Sequence, residues 1–350
     1  MHIPYCNSKC PYCDFYSLAD KSRAREYVEA VNVKLKNFTK DNFCKADTLY
    51  IGGGTPSSLP AEMLCSIVEN VKKSFRCVPE EITAEFNPSD ADEDYFKKIF
   101  ASGVNRLSFG MQSAVDSERR SLGRRADKNQ VEKAVLLAKK AGFNNISLDL
   151  MLGIPKQMGA SLSESIAFCA ELGVRHISAY ILKLEEGTFF YKNSSKLNLP
   201  DEDETADLYL QAVSELEKAG FLQYEISNFA KAGAESKHNL KYWRLEDYLG
   251  IGAAAHSCIN GKRFYYPRDI DYFINGGEPI ADGESGSCEE KIMLGLRLKE
   301  GIKKEFLSEK ALNEIPDLEQ NGYIKTTPEN ISLTPQGFLI SNTIINMLTE

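Results

Sequence analysis

His2-Ile3-Pro4-Tyr5-Cys6-Asn7-Ser8-Lys9-Cys10-Pro11-Tyr12-Cys13 opens the chain, and the rest is read outward from it. His2–Tyr5 has the character of a strand tail, and the thiols of Cys6, Cys10 and Cys13 follow it within one loop. Such a loop can wrap one small metal centre. Soft thiolates select zinc, copper(I) or iron–sulfur. A structural zinc site takes four protein ligands, so a zinc knuckle here would borrow a distant donor such as Cys44 or His2. A [4Fe–4S] cluster on three cysteines would instead leave one iron open to a non-protein ligand. The loop residues alone leave both readings standing.

Downstream, short apolar runs alternate with longer amphipathic ones. Strands are expected at 48–51, 82–86, 106–109, 146–151 and 176–182. Helices are expected at about 22–38, 60–75, 92–102, 128–141, 161–172 and 203–219. Repeated strand-then-helix units imply a parallel sheet with right-handed crossovers. In such sheets the site lies beyond the carboxyl ends of the strands. Those ends carry Gly52-Gly53-Gly54-Thr55-Pro56, Glu85-Phe86-Asn87-Pro88, Gln112-Ser113 and Gly153-Ile154-Pro155. Glycine lets backbone groups approach a ligand. Glu85, Gln112, Arg124 and Asp149 offer acceptors, donors and a carboxylate fork. A first strand beginning at Met1 would be very short and would leave an open edge beside the thiols.

The pattern changes after about residue 225, so the expected domains are 1–225 and 226–350. Residues 228–262 read as loop, 271–285 as turns, and 289–299 and 304–313 as helix. A strand pair around Asn330 should precede a helix with Phe338, Ile340, Ile344, Ile345 and Leu348 on its apolar side. The fold class expected is α/β with a smaller α+β carboxyl-terminal domain.

The 350 residues carry a net charge of -8, with 43% hydrophobic and 26% charged residues. That composition argues against disorder. It gives no electrostatic footprint for nucleic acid, and no apolar run approaches a membrane span. Nine cysteines, three of them in the first 13 residues, read as a metal site in a reducing compartment, hence the cytoplasm. Cys44, Cys65, Cys77, Cys169, Cys258 and Cys288 lack metal spacing and are expected to be buried small hydrophobes.

The cysteine loop resembles that of the radical S-adenosylmethionine (SAM) superfamily. The ordered set His2-Ile-Pro-Tyr-Cys6, Gly52-Gly-Gly-Thr-Pro-Ser57, Glu85-Phe-Asn-Pro88, Asn105-Arg-Leu-Ser-Phe-Gly-Met-Gln-Ser113, Leu122-Gly-Arg124 and Asp149-Leu-Met-Leu-Gly-Ile-Pro155 narrows the likeness. It is similar to the HemN/HemW group of coproporphyrinogen III dehydrogenases and heme chaperones, across essentially the whole chain. The resemblance implies a partial (β/α)6 barrel and a [4Fe–4S] cluster on Cys6, Cys10 and Cys13. Its open iron would chelate SAM, which an electron cleaves to a 5′-deoxyadenosyl radical. It implies SAM contacts for Gly53, Gly54, Thr55, Glu85, Gln112, Arg124 and Asp149, with Tyr12 able to stack on adenine.

Two branches of that group differ. The dehydrogenases resemble C-x3-C-x2-C-x-C, and here the last position is Phe15. They also carry a long extension before the cluster, whereas five residues precede Cys6 here. Both departures put the oxidative decarboxylation of coproporphyrinogen III in doubt. His238-Asn-Leu-Lys-Tyr-Trp243 instead resembles the heme-binding motif of the chaperones. A neutral imidazole suits heme iron, and Tyr242 and Trp243 would offer flat surface to a macrocycle. His256 is the reserve ligand, His176 is expected in the core and His2 near the cluster. Lys9-Cys10-Pro11 resembles a Cys-Pro heme-regulatory motif, but Cys10 belongs to the cluster. The expected partners are heme and recipient hemoproteins, with membrane respiratory enzymes and a homodimer in view. A radical reaction on another tetrapyrrole is the third reading.

Overall fold

Residues 1–41 and 45–349 are described by the computed structural model. Eight strands form the main sheet: β1 His2–Ile3, β2 Thr48–Gly53, β3 Glu81–Phe86, β4 Arg106–Gln112, β5 Asn145–Leu152, β6 His176–Ile181, β7 Leu222–Glu225 and β8 Asn228–Ala230. Their order is β1-β2-β3-β4-β5-β6-β8-β7. The pairings from β1 to β6 are parallel, and β8 and β7 close the far edge antiparallel. The sheet therefore continues to Ala230. Helices Ala24–Asp41, Ala61–Phe75, Glu93–Ser102, Lys128–Lys140, Gly159–Glu171 and Glu202–Lys218 lie within two residues of the expected starts. Their ends are set by local chemistry: Asp92, Asp127 and Asp201 cap amino termini, and Gly103 closes one helix in a left-handed conformation.

Strand residues alternate in character. Leu49, Ile51, Ile82, Ala84, Leu107, Phe109, Ile146, Leu148 and Ile177 are buried in the core under the helices. The intervening positions are Tyr50, Thr83, Glu85, Arg106, Ser108, Ser147, Asp149, His176 and Ser178. Successive strand residues point to opposite faces, so one face buries apolar surface and the other lines a polar lumen.

Six parallel strands with outer helices form the open barrel that the resemblance implied. The tail departs from its simple reading. The expected loop 228–262 contains β8, a helix over Lys237–Trp243 and β9 His256–Ile259. Beyond it, β10 Lys262–Tyr265 and β11 Ile280–Glu284 complete a three-stranded antiparallel sheet. A second small sheet joins β12 Ile302–Lys303, β13 Ile324–Thr326 and β14 Asn330–Leu333. The helix expected at 304–313 is a short 3₁₀ turn followed by Glu309–Gln320, because Ser308 supplies the cap. The last helix is broken at Ile340, which is exposed instead of lying on the apolar side.

Candidate functional site

Two cavities flank β2. The first, about 630 Å³, lies at the carboxyl ends of the parallel strands. Its walls include Cys6, Cys10, Tyr12, Cys13, Gly53, Gly54, Thr55, Glu85, Gln112, Arg124 and Asp149, so every cluster and SAM candidate faces one space. The right-handed crossovers bring these residues together, as each strand contributes its last polar positions.

The glycines are needed for close approach. Gly53 has φ +110, and a Cβ there would meet the His2 ring at 2.7 Å. At Gly54 it would meet the Tyr5 carbonyl oxygen at 2.7 Å. The Gly53 amide donates to Glu85 Oε2 at 3.1 Å, and Tyr50 donates to Glu85 Oε1 at 2.7 Å. Withdrawal from water pushes the Glu85 carboxyl up to about 7, with the Tyr50 hydrogen bond acting against the rise. Burial also raises Asp149, while Ser178, Arg106 and Ser108 restrain it. Gln112 is aimed by a bulge between Gly110 and Gln112, and its φ is +73. Arg124 donates to the Gly110 carbonyl and lies 3.6 Å from Cys10 Sγ. Burial opposes its charge, but Tyr12 and Cys10 more than offset that, so its pKa rises.

The three thiols are unpaired cysteines on the wall of this cavity. Thr55 Oγ1 sits 3.2 Å from Cys6 Sγ. Among the described residues no His, Cys, Asp or Glu group could hold a single metal ion. A cluster makes no such demand, since each thiolate takes a different iron. The soft donor set, shared cavity and adjacent guanidinium therefore fit a [4Fe–4S] group. The zinc-knuckle alternative fares worse: His2 lines the other cavity, where its Nε2 donates to the Tyr16 carbonyl, and Cys44 lies outside the described residues. His2 is thus not on the thiol wall.

The second cavity, about 770 Å³, is lined by Tyr50, Gly53, Val71, Phe75, His238, Tyr242, Tyr248, Leu249 and His256, among others. His238 lies in the first turn of the Lys237–Trp243 helix, where Glu81 of β3 accepts both the Lys237 and His238 amides. Its Nδ1 is 2.8 Å from Thr48 Oγ1, its Nε2 is 2.8 Å from the Tyr242 hydroxyl, and its ring stacks on Tyr50 at 5.3 Å. His256 is exposed and stacks on Tyr265 at 5.3 Å. His176 is fully buried, as expected, between Ser147 and Tyr224.

Trp243 does not face this cavity. It lines a separate groove with Gly295, Leu298 and Ile302. The cause is helical: Tyr242 follows His238 by four residues, whereas Trp243 turns roughly 100° further. The remaining cysteines are also less uniform than expected. Cys169 and Cys258 are buried, Cys65 and Cys77 half-buried, and Cys288 exposed. Tyr50, Arg106, Ser108, Ser178, Tyr180 and Asn239 line the first cavity without having been singled out. The polar alternation along the strands was the signal that could have found the strand residues.

A three-thiol loop at the mouth of a parallel half-barrel defines a radical SAM protein, and that superfamily's model matches residues 1–169. The HemN C-terminal domain model matches residues 288–340. The fold is similar to that of coproporphyrinogen III oxidase (HemN) from Escherichia coli, with a TM-score of 0.83 at 20% identity over 99% of this chain and 88% of that one. The heme chaperone HemW of Bacillus subtilis is 36% identical over 98% of this chain and 97% of its own length. HemW of Haemophilus influenzae is 36% identical over 100% and 97%. The chain belongs to the HemW family.

Proposed function

We propose that this chain is a heme chaperone, which binds heme in the His238 cleft and passes it to recipient hemoproteins. The observation that carries this reading is the state of His238. Burial above all, then the Met1 ammonium and Lys241, hold its pKa down to about 3. The imidazole is neutral at any physiological pH, the form that donates to heme iron. Ligation exchanges one hydrogen bond, to Tyr242 or Thr48, for an iron bond. A net hydrogen bond is worth about 1 kcal/mol, so the exchange weakens binding slightly and favours release. Tyr50, Tyr242 and Tyr248 provide flat surface beside the ring. The Bacillus and Haemophilus relatives carry the name heme chaperone over nearly full length.

In the first cavity Cys6, Cys10 and Cys13 would hold the [4Fe–4S] cluster. With SAM bound, the cluster supplies an open iron and a single electron. Glu85 would accept from the methionyl amine, Arg124 would grip the carboxylate, Asp149 and Gln112 would bind polar groups, and Tyr12 would lie against adenine. Gly53, Gly54 and Thr55 would supply the close wall. No helix among the described residues is long and apolar enough to cross a membrane. The reading places the chain in the cytoplasm, serving hemoproteins that include membrane respiratory enzymes, with a homodimer as the assembly to test.

The deciding experiment titrates ferric heme into anaerobically reconstituted wild type and His238→Ala, following the Soret band. Saturable one-to-one binding that weakens or changes its spectrum in the variant is expected. Absence of specific binding in both proteins sinks the reading and returns coproporphyrinogen III oxidation to first place. Binding indifferent to the variant moves the ligand to His256.

A further inference from the structure

Two arginine side chains in this molecule are equally buried, Arg106 and Arg119, each at 2% exposure. Arg119 is satisfied: Nε donates to the Ala126 carbonyl at 2.8 Å, Nη1 to the Ser113 carbonyl at 3.0 Å, and Asp116 lies at 3.8 Å. Arg106 has nothing comparable. Its Nε has no hydrogen-bond partner, and no carboxylate among the described residues pairs with its guanidinium. Its cross-strand neighbours in register are Thr83 and Asn145. Thr83 Oγ1 and Asn145 Oδ1 are also buried and unpartnered. Three adjacent strands thus present unsatisfied polar atoms at one level of the lumen.

Burying a charge without a partner is costly, and buried polar groups are nearly always hydrogen-bonded. An exception of this kind calls for a missing partner. The space is there, because Arg106 lines the same cavity as the cysteines. A guanidinium fork matches a carboxylate bidentately, and the Thr83 hydroxyl adds a neutral donor. We propose that Arg106, with Thr83, forms a second carboxylate-binding position deep in the lumen, occupied by a propionate of the tetrapyrrole cargo.

The position is distinct from the rim. Arg124 binds the carbonyl of Gly110, four residues further along β4. That separation is about 13 Å at the rise of an extended strand. A carboxylate held at Arg124 therefore leaves Arg106 unserved, and a second ligand must supply the group. Arg106 also lies within electrostatic reach of His238, whose pKa it helps to lower. A cargo bound at the cleft thus feels the same cation. The assignment of a propionate rests on the heme reading; that of a carboxylate does not.

The test compares ferric heme with its dimethyl ester, in which both propionates are masked. Both are titrated into reconstituted wild type, Arg106→Met and Arg106→Lys. SAM affinity is measured on the same proteins by equilibrium dialysis, and ligand-free melting is recorded. Wild type should favour heme over the diester by about tenfold or more. Arg106→Met should bind heme as weakly as the diester, with diester and SAM affinities unchanged, and Arg106→Lys should recover part of the preference. Ligand-free Arg106→Met should melt no lower than wild type, since it removes an unpaired buried charge. A fall of more than about 5 °C would make Arg106 a structural cation and overturn the proposal. Unchanged preference with a tenfold loss of SAM affinity would uphold the carboxylate position but overturn the tetrapyrrole as its source. No change in either affinity would mean that an ordered water serves Arg106, and the proposal fails. If wild type binds neither heme nor its ester, the heme reading fails separately. SAM affinity then decides: a tenfold loss upholds the carboxylate position, and no change overturns it.

Discussion

The two cavities share Tyr50 and Gly53 as a common wall, yet they are built in opposite ways. The cysteine cavity gathers the last residues of successive parallel strands around one contiguous loop, and it holds Arg106, Arg124, Glu85 and Asp149. The His238 cleft is assembled from β2, the end of a helix at Phe75 and a segment some two hundred residues later, and its walls are largely aromatic and aliphatic. One is a property of the sheet; the other depends on long-range packing. If the two serve separate ligands, they can be disabled separately. Replacing Cys6, Cys10 or Cys13 by Ala should abolish iron and sulfide incorporation outright, because no other cysteine among the described residues lines that cavity. Heme binding in the cleft should survive those changes. Joint loss of iron–sulfur and heme would dissolve the distinction.

That difference in construction also explains what was legible beforehand. The strands and helices up to Lys218 follow hydrophobic periodicity and capping residues, both of which are local. The cluster and SAM candidates are legible because strand ends in a parallel sheet converge whatever the details of packing. Arg106 is not, since an arginine at a strand start reads as an ordinary charged terminus until its partners can be inspected. Trp243 was placed on the wrong face because adjacent helical residues diverge by roughly 100°, and a motif does not reveal which one faces the cavity. The structured segment 228–262 was read as loop because its strands are only three or four residues long, too short for periodicity to register.

The cavities should respond differently to pH. Glu85 titrates near 7 because it is withdrawn from water. A ligand ammonium pairs only with the ionised carboxylate, so SAM affinity should be full above pH 7. It should fall by about tenfold per unit once pH drops well below the Glu85 pKa. His238 is held down to about 3, so no proton competes for its nitrogen near neutrality. Heme affinity should therefore stay level between pH 8 and pH 6 while SAM affinity declines. Binding isotherms for each ligand across that range check the contrast, and parallel curves would contradict it.

A smaller effect tests which nitrogen meets iron. The Tyr242 hydroxyl occupies His238 Nε2 and Thr48 occupies Nδ1. If iron takes Nε2, Tyr242→Phe removes a competitor worth about 1 kcal/mol and heme should bind a few-fold more tightly. Thr48→Val should weaken binding by loosening the ring, since a bond to the second nitrogen orients a ligating imidazole. Reversed signs in the two variants would assign Nδ1 as the ligand.

The smallest effect lies at the shared wall. Tyr50 stabilises ionised Glu85 through its hydroxyl but meets His238 through its ring. Tyr50→Phe deletes the first contact and keeps the second. Loss of a hydrogen bond to the charged form raises a carboxyl pKa, so the pH midpoint for SAM binding should move up by about half a unit to one unit. Heme affinity in the cleft should be unaltered. A heme response as large as the SAM response would mean that Tyr50 couples the cavities through its hydroxyl, and the wall would then act as a switch between two bound states instead of a partition.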